Sequence, residues 1–220
     1  MLPVAVPRSA LCVVRFEIIN FFIVFHYYIV YKPFQVLSQF TSQDGKRSLK
    51  DFFKVPPDIY PLGRLDYDSE GLLILSNDPQ LNHRLLNPLF AHEREYLVQV
   101  DGDIDQPAIN KLQSGVSINV DGERYKTKPC IARKIITPAT LPERNPPVRF
   151  RKNIPTSWIS LVLQEGKNRQ VRKLTAAVGF PTLRLVRYRI AEITIDKLLP
   201  GEMIAIDRER MFQNLFGGEE

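Results

Sequence analysis

Short apolar runs alternate along this chain with polar breaks marked by glycine or proline, and the period within each run predicts its element. Tyr27 to Lys32 is rich in β-branched and aromatic residues and predicts a core strand. Leu72-Leu73-Ile74-Leu75, entered through Gly71, is a continuous apolar run of the kind found in strands buried on both faces. Behind Asp78, a capping residue followed by proline, Leu81, Leu85 and Leu86 predict a helix over 79–87 with those leucines inward. Glu95 to Val100 alternates instead, setting Tyr96, Val98 and Val100 on one face and Leu97 and Gln99 on the other.

Further on, Gln106 to Gln113 reads as a helix stopped by Gly115, and 116–120, 127–136 and 158–164 read as strands. Lys167 to Val178 predicts a helix with Gly179 just past its end. Arg169, Arg172 and Lys173 would share one face of it, with Val171, Leu174 and Val178 on the other. Thr182 to Ile195 predicts one long strand, with Arg184 and Val186 on one side and Leu185 and Arg187 on the other. Leu198 to Ile206, turning at Pro200-Gly201, closes the sheet, and Phe212 to Glu220 is expected to be disordered. Two irregular stretches interrupt the pattern. Ser42 to Lys54 reads as a flexible loop with a short helix, and 137–155 is a proline-stiffened loop offering Arg144, Arg149, Arg151 and Lys152. Strands in hairpins with few helices predict an α+β fold with a mostly antiparallel sheet.

Charge changes this picture more than composition does. The net charge is +6, but residues 123–189 hold 16 Lys and Arg against three acids, a basic block that points to a polyanionic partner. A solvated basic face without a partner is the plainer alternative. The two cysteines, Cys12 and Cys130, exclude a disulfide framework, and neither they nor the three histidines have metal-ligand spacing. No metal is expected. The apolar run from Ile18 to Tyr31 is 14 residues long and includes Asn20 and His26, short of a membrane span. With no basic segment before it and no cleavage site after it, residues 1–24 are expected to be an extension of uncertain order.

Candidate chemistry concentrates in 61–78. Pro61-Leu62-Gly63 predicts a turn, and Arg64 and Asp66 follow on a loop pinned between that turn and the central strand. A surface loop with an incidental ion pair would look the same. A lone aspartate on a rigid loop beside an arginine suits attack on, or deprotonation of, a sugar.

The wording of this stretch, Gly63-Arg64-Leu65-Asp66 followed by Ser69-Glu70-Gly71 and the apolar strand to Asn77-Asp78, resembles the catalytic motif of pseudouridine synthases. The branch is that of enzyme A of the small ribosomal subunit, together with enzymes B, E and F of the large one. Tyr31-Lys32-Pro33 to Phe40-Thr41 resembles its first motif, although Gln35 stands where glycine is usual. Glu95 to Val100 resembles its tyrosine-bearing strand, and Glu165-Gly166-Lys167-Asn168-Arg169-Gln170-Val171-Arg172-Lys173-Leu174 its third motif. Arg144-Asn145-Pro146-Pro147 to Ser157-Trp158 is most similar to the E-type enzymes of that branch.

The resemblance implies a long mixed sheet shared by two lobes, 25–90 and 91–210, with an RNA-binding cleft between them and a flexible tail over 211–220. It implies isomerisation of a uridine in ribosomal RNA, most similar to a large-subunit site, with another ribosomal site or a non-catalytic assembly factor as alternatives. Asp66 would act at the sugar, Tyr96 would stack on the flipped base, and Arg172 would pair with Asp66. Arg64 would fill the gap left by the base. Lys32, Lys167, Asn168, Arg169 and Lys173 would contact the RNA backbone. The reaction needs no cofactor, and a cytoplasmic monomer without membrane attachment is expected.

Overall fold

A computed structural model of the chain describes residues 24–149, 152 and 154–217. The expectations for 1–23, for Arg151 and for the last three residues lie outside them. Nine strands form one mixed sheet. Its spine runs β11 (Met203–Ile206), β1 (Tyr27–Lys32), β3 (Glu70–Ser76), β9 (Thr182–Ile190), β4 (Arg94–Asp101), β8 (Thr156–Leu163) and β7 (Ile131–Ile135). Short β2 (Tyr60–Leu62) joins β3, and β10 (Ile193–Thr194) joins β9. Every pairing is antiparallel except that of β3 with β9, which is parallel and only two residue pairs long, Glu70 with Val186 and Gly71 with Arg187. The fold is α+β, as the hairpin-rich pattern predicts.

Helices cover both faces. Leu81 and Leu85 of α1 (Pro79–Leu86) and Met211 and Leu215 of α4 (Arg208–Phe216) pack on one face with Tyr31, Leu72, Leu97 and Val186. Ile109 and Leu112 of α2 (Gln106–Gln113), with Val171 and Leu174 of α3 (Gln170–Ala177), cover the other face at β4, β8 and β9. The loop from Val36 to Ile59 covers that side of β1 and β3.

Several expectations need correction. The tail is not disordered up to Gly217: Asp207 caps α4 by accepting from the Arg210 amide, and Gly217 closes it in a left-handed conformation. Pro61 and Leu62 belong to β2, and the expected strand over 182–195 turns at Ala191-Glu192 into β10. A second hairpin, β5 (Ser117–Val120) and β6 (Glu123–Lys126), precedes β7 and turns on Asp121-Gly122, both at positive φ. Leu86 does not point inward; it is 42% exposed, one position past the buried stripe of Leu81 and Leu85. Helix α3 starts only at Gln170, so Lys167 to Arg169 form a turn rather than a helical face.

Candidate functional site

The loop from Gly63 to Ser69 is held from three directions. Gly63 bends the chain at φ +76, and the Ser69 amide donates to the Asp66 carbonyl, tightening the turn that carries Asp66. The first-motif segment braces it from the side. Ser38 Oγ donates to the Leu65 carbonyl and accepts from the Leu65 amide, at 2.7 and 3.0 Å. The Gln35 amide donates to the Tyr67 carbonyl, and Gln35 does so at φ +55, which accounts for the usual glycine at this position.

Lys32 contributes to that brace and not to RNA binding. It is fully buried, and its Nζ donates to the carbonyls of Pro33 and Val36 at 2.9 and 2.7 Å. Burial pushes its pKa down to about 7, against the opposite pull of Glu70, Asp68 and Asp66. A phosphate cannot reach it. The end of β1 is covered by the loop that follows, which no pattern within the strand reveals.

A cleft of about 810 Å³ opens beside the β3–β9 seam, a size suited to a nucleotide. Arg64, Asp66 and Ser69 line it from the Gly63–Ser69 loop, Tyr96 and Arg187 from the sheet, and Lys167, Asn168 and Arg169 from the turn before α3. Asp66 and Tyr96 thus share one cavity with three of the predicted RNA contacts and Arg64. Lys173 lies half-buried on α3, outside the lining.

The ion pairs differ from the expected pattern. Arg169 makes the contact with Asp66, 3.6 Å from Nη1 to Oδ2, and a bidentate pair with Asp68 at 2.9 and 2.8 Å. Arg172 does not pair with Asp66. Its Nε lies 3.3 Å from Asp68 Oδ2, and its Nη2 donates to the Asp68 carbonyl and to Ser69 Oγ. It grips the second half of the turn that carries Asp66. Burial pushes the Asp68 carboxyl up, but the hydrogen bond from Arg169 and the charges of Arg172 and Arg169 outweigh it, leaving the group below its usual range.

The turn carrying Lys167 and Arg169 is itself fixed. Gln170, 3% exposed, accepts from the Lys167 amide and donates to Glu165, which also accepts from Tyr125 Oη. Lys167 Nζ sits 4.9 Å from the Tyr125 ring centroid, and Asn168 donates to Asp121 at the β5–β6 turn.

Arg187 and Asp68 are the site residues that pattern reading misses. Arg187 appears in the sequence only as one position of an alternating strand. Its signal is a cation on the same strand face as Leu185, a face that packs in the core.

Three comparisons bear on this site. A family model described as RNA pseudouridylate synthase matches residues 26–177. The chain is 48% identical over 171 residues to a protein of Vibrio parahaemolyticus named ribosomal large subunit pseudouridine synthase E, covering 78% of this chain and 69% of that one. It is 47% identical to the protein of the same name from Xanthomonas axonopodis pv. citri, covering 79% and 90%. Among solved structures, one described as a pseudouridylate synthase superposes with a TM-score of 0.70 at 24% identity, over 87% of this chain and 74% of that one, a likeness of fold.

Proposed function

The chain belongs to the RNA pseudouridylate synthase family, and on that premise we propose that it isomerises a uridine of large-subunit ribosomal RNA to pseudouridine. The observation that carries this reading is the placing of Asp66 and Tyr96 in one cleft whose far rim is Lys167, Asn168 and Arg169. The N-glycosidic bond breaks, the base turns, and carbon C5 joins the sugar. Asp66 acts at the sugar, through its contact with Arg169. Tyr96 stacks on the displaced base and takes the C5 proton. Arg64, exposed at the cleft edge, occupies the space the base leaves and offsets part of the cost of extrusion, about a few kcal/mol. Lys167, Asn168 and Arg169 hold the RNA backbone, and Arg172 positions the loop through Asp68 and Ser69. Lys173 adds charge beside them.

The protein works as a monomer on cytoplasmic ribosomal RNA, and the choice of large-subunit RNA follows the names of its relatives. No helix among the described residues is long and apolar enough to cross a membrane. The test is Asp66→Asn. Pseudouridine in purified 23S rRNA is expected to fall by at least about 10⁴-fold in initial rate, the scale of losing a catalytic carboxylate, with RNA affinity retained. Unchanged modification overturns the role of Asp66. Pseudouridine mapping in a strain lacking the gene then identifies the uridine.

A further inference from the structure

Arg187 is a buried cation that the fold does not use up. It is 5% exposed, and among the described residues no carboxylate lies within ion-pair distance of it. Nε donates to the Leu72 carbonyl at 2.8 Å, across the parallel seam from β9 to β3, and the Tyr96 hydroxyl lies beside the guanidinium. This seam is tight. A Cβ on Gly71, which sits at φ +108, would collide with the Arg187 backbone. The guanidinium is therefore fixed in direction, and its Nη2 is buried without a hydrogen-bond partner. Tyr96 is its register partner on β4, so the two side chains leave the sheet on the same face, and both line the cleft.

A buried polar atom left unpaired in a folded protein calls for an explanation, and a guanidinium has five donors to satisfy. Leaving one open beside the residue that meets the displaced base is costly unless a ligand fills it.

We propose that Arg187 is a catalytic residue whose open Nη2 donor binds a carbonyl oxygen of the uracil and holds the negative charge the base acquires when it leaves the sugar. The inference rests on the proposed isomerisation and deepens it. When the C1′–N1 bond breaks, its electron pair stays on the base, whether Asp66 adds at C1′ or removes the 2′ proton. The detached uracil is then an anion with charge shared among N1, O2 and O4. C5 then joins C1′ as the bond from Asp66 breaks or as the 2′ proton returns from it, and Tyr96 takes the C5 proton while its own phenol proton passes through solvent to N1, so the sum is an isomerisation. Arg187 stays protonated throughout and gives up only a hydrogen bond. A preorganised donor aimed at developing charge in a water-poor site is the arrangement that contributes most to catalysis.

The experiment is single-turnover conversion of transcribed 23S rRNA by the full chain, with Arg187→Met and Arg187→Lys compared to the parent. The expected result for Arg187→Met is a rate lowered about 10²–10³-fold, RNA affinity within about threefold, and partial recovery on adding millimolar guanidinium. Arg187→Lys is expected to keep an intermediate rate. Rates within about threefold of the parent in a folded variant, or a loss of affinity as large as the loss of rate, overturn the proposal. Should both variants fail to fold, a structure of Asp66→Asn bound to an RNA fragment containing the mapped uridine decides. Nη2 within hydrogen-bond distance of O2 or O4 supports the role, and Nη2 on Tyr96 alone or on a phosphate rules it out. If the parent makes no pseudouridine at all, the isomerase reading fails first, and that outcome is distinct from an active parent with an equally active Arg187→Met.

Discussion

Two carboxylate–guanidinium clusters are built on carboxylates two residues apart, Asp68 and Glu70, and they behave as different materials. Glu70 and Arg184 are sealed: 1% and 6% exposed, joined by two hydrogen bonds at 2.8 and 3.0 Å, with Arg184 Nη2 also donating to the Pro142 carbonyl. Asp68, with Arg169 and Arg172, uses the same chemistry, but its side chain is 36% exposed at the cleft wall. The sealed pair clips β3 to β9 just where they share only two residue pairs, so it replaces a ladder that is too short to hold the seam. The open cluster holds the Asp66 loop and leaves Arg169 at the cleft wall, where under the proposed function it trades a carboxylate for an RNA phosphate. Water access decides which job an ion pair can do.

Breaking the sealed pair tests this most severely. Glu70→Ala leaves Arg184 buried without its carboxylate and should cost about 3–5 kcal/mol, or roughly 6–20 °C in Tm for a domain of this size. The paired change Glu70→Leu with Arg184→Met removes both charges and should recover most of that loss. A single variant that melts within a degree or two of the parent would remove the clip from the account.

The open cluster should answer in activity instead. Asp68→Asn weakens a pair that water already screens, so its stability change stays within about 1 kcal/mol. Its effect on turnover should be about 10- to 100-fold, because Arg169 and Arg172 lose the group that fixes them and the Asp66 turn is displaced. Urea midpoints and single-turnover rates on the same preparation separate the two. A large stability loss with normal turnover would mean the two clusters are alike after all.

Much of this was legible in the chain. The Tyr27–Lys32 strand and the Gln106–Gln113 helix fall where the pattern puts them, because each is set by its own neighbours and caps. The loop carrying Asp66 was legible for the same reason. What failed was whatever depends on distant partners. The β6 strand, Glu123 to Lys126, has no apolar face to announce it and exists through its pairing with β5. Helix α4 carried its signals, Asp207 as cap and Met211 and Leu215 four apart, but they were outweighed by the polar end of the chain. The partner of Asp66 is Arg169 and not Arg172 because Arg169, at φ +53 before α3, turns back toward the loop, a direction that helical spacing cannot encode.

Lys32 sharpens the comparison from the other side, as a buried lysine with no direct ion pair among the described residues. Its folded pKa is lowered to about 7 by burial, well below that of an unfolded lysine. Below that pH both states carry the proton, and the full penalty of burying the charge is present. As pH rises from about 7 toward 10.5 the folded protein gives up the proton while the unfolded chain keeps it, so stability should increase across that window and level off above it. The neutral amine still has two hydrogens for the carbonyls of Pro33 and Val36, so the brace survives the loss of charge. Lys32→Met lacks this titration, and the parent should therefore gain about 2 kcal/mol more than the variant between pH 7 and 9. Because other titrating groups are common to both proteins, the difference between their urea profiles isolates the lysine. Parallel profiles would mean that Lys32 keeps its proton in the fold, and that the carboxylates of Asp66, Asp68 and Glu70 offset its charge from a distance as Glu70 offsets Arg184 by contact.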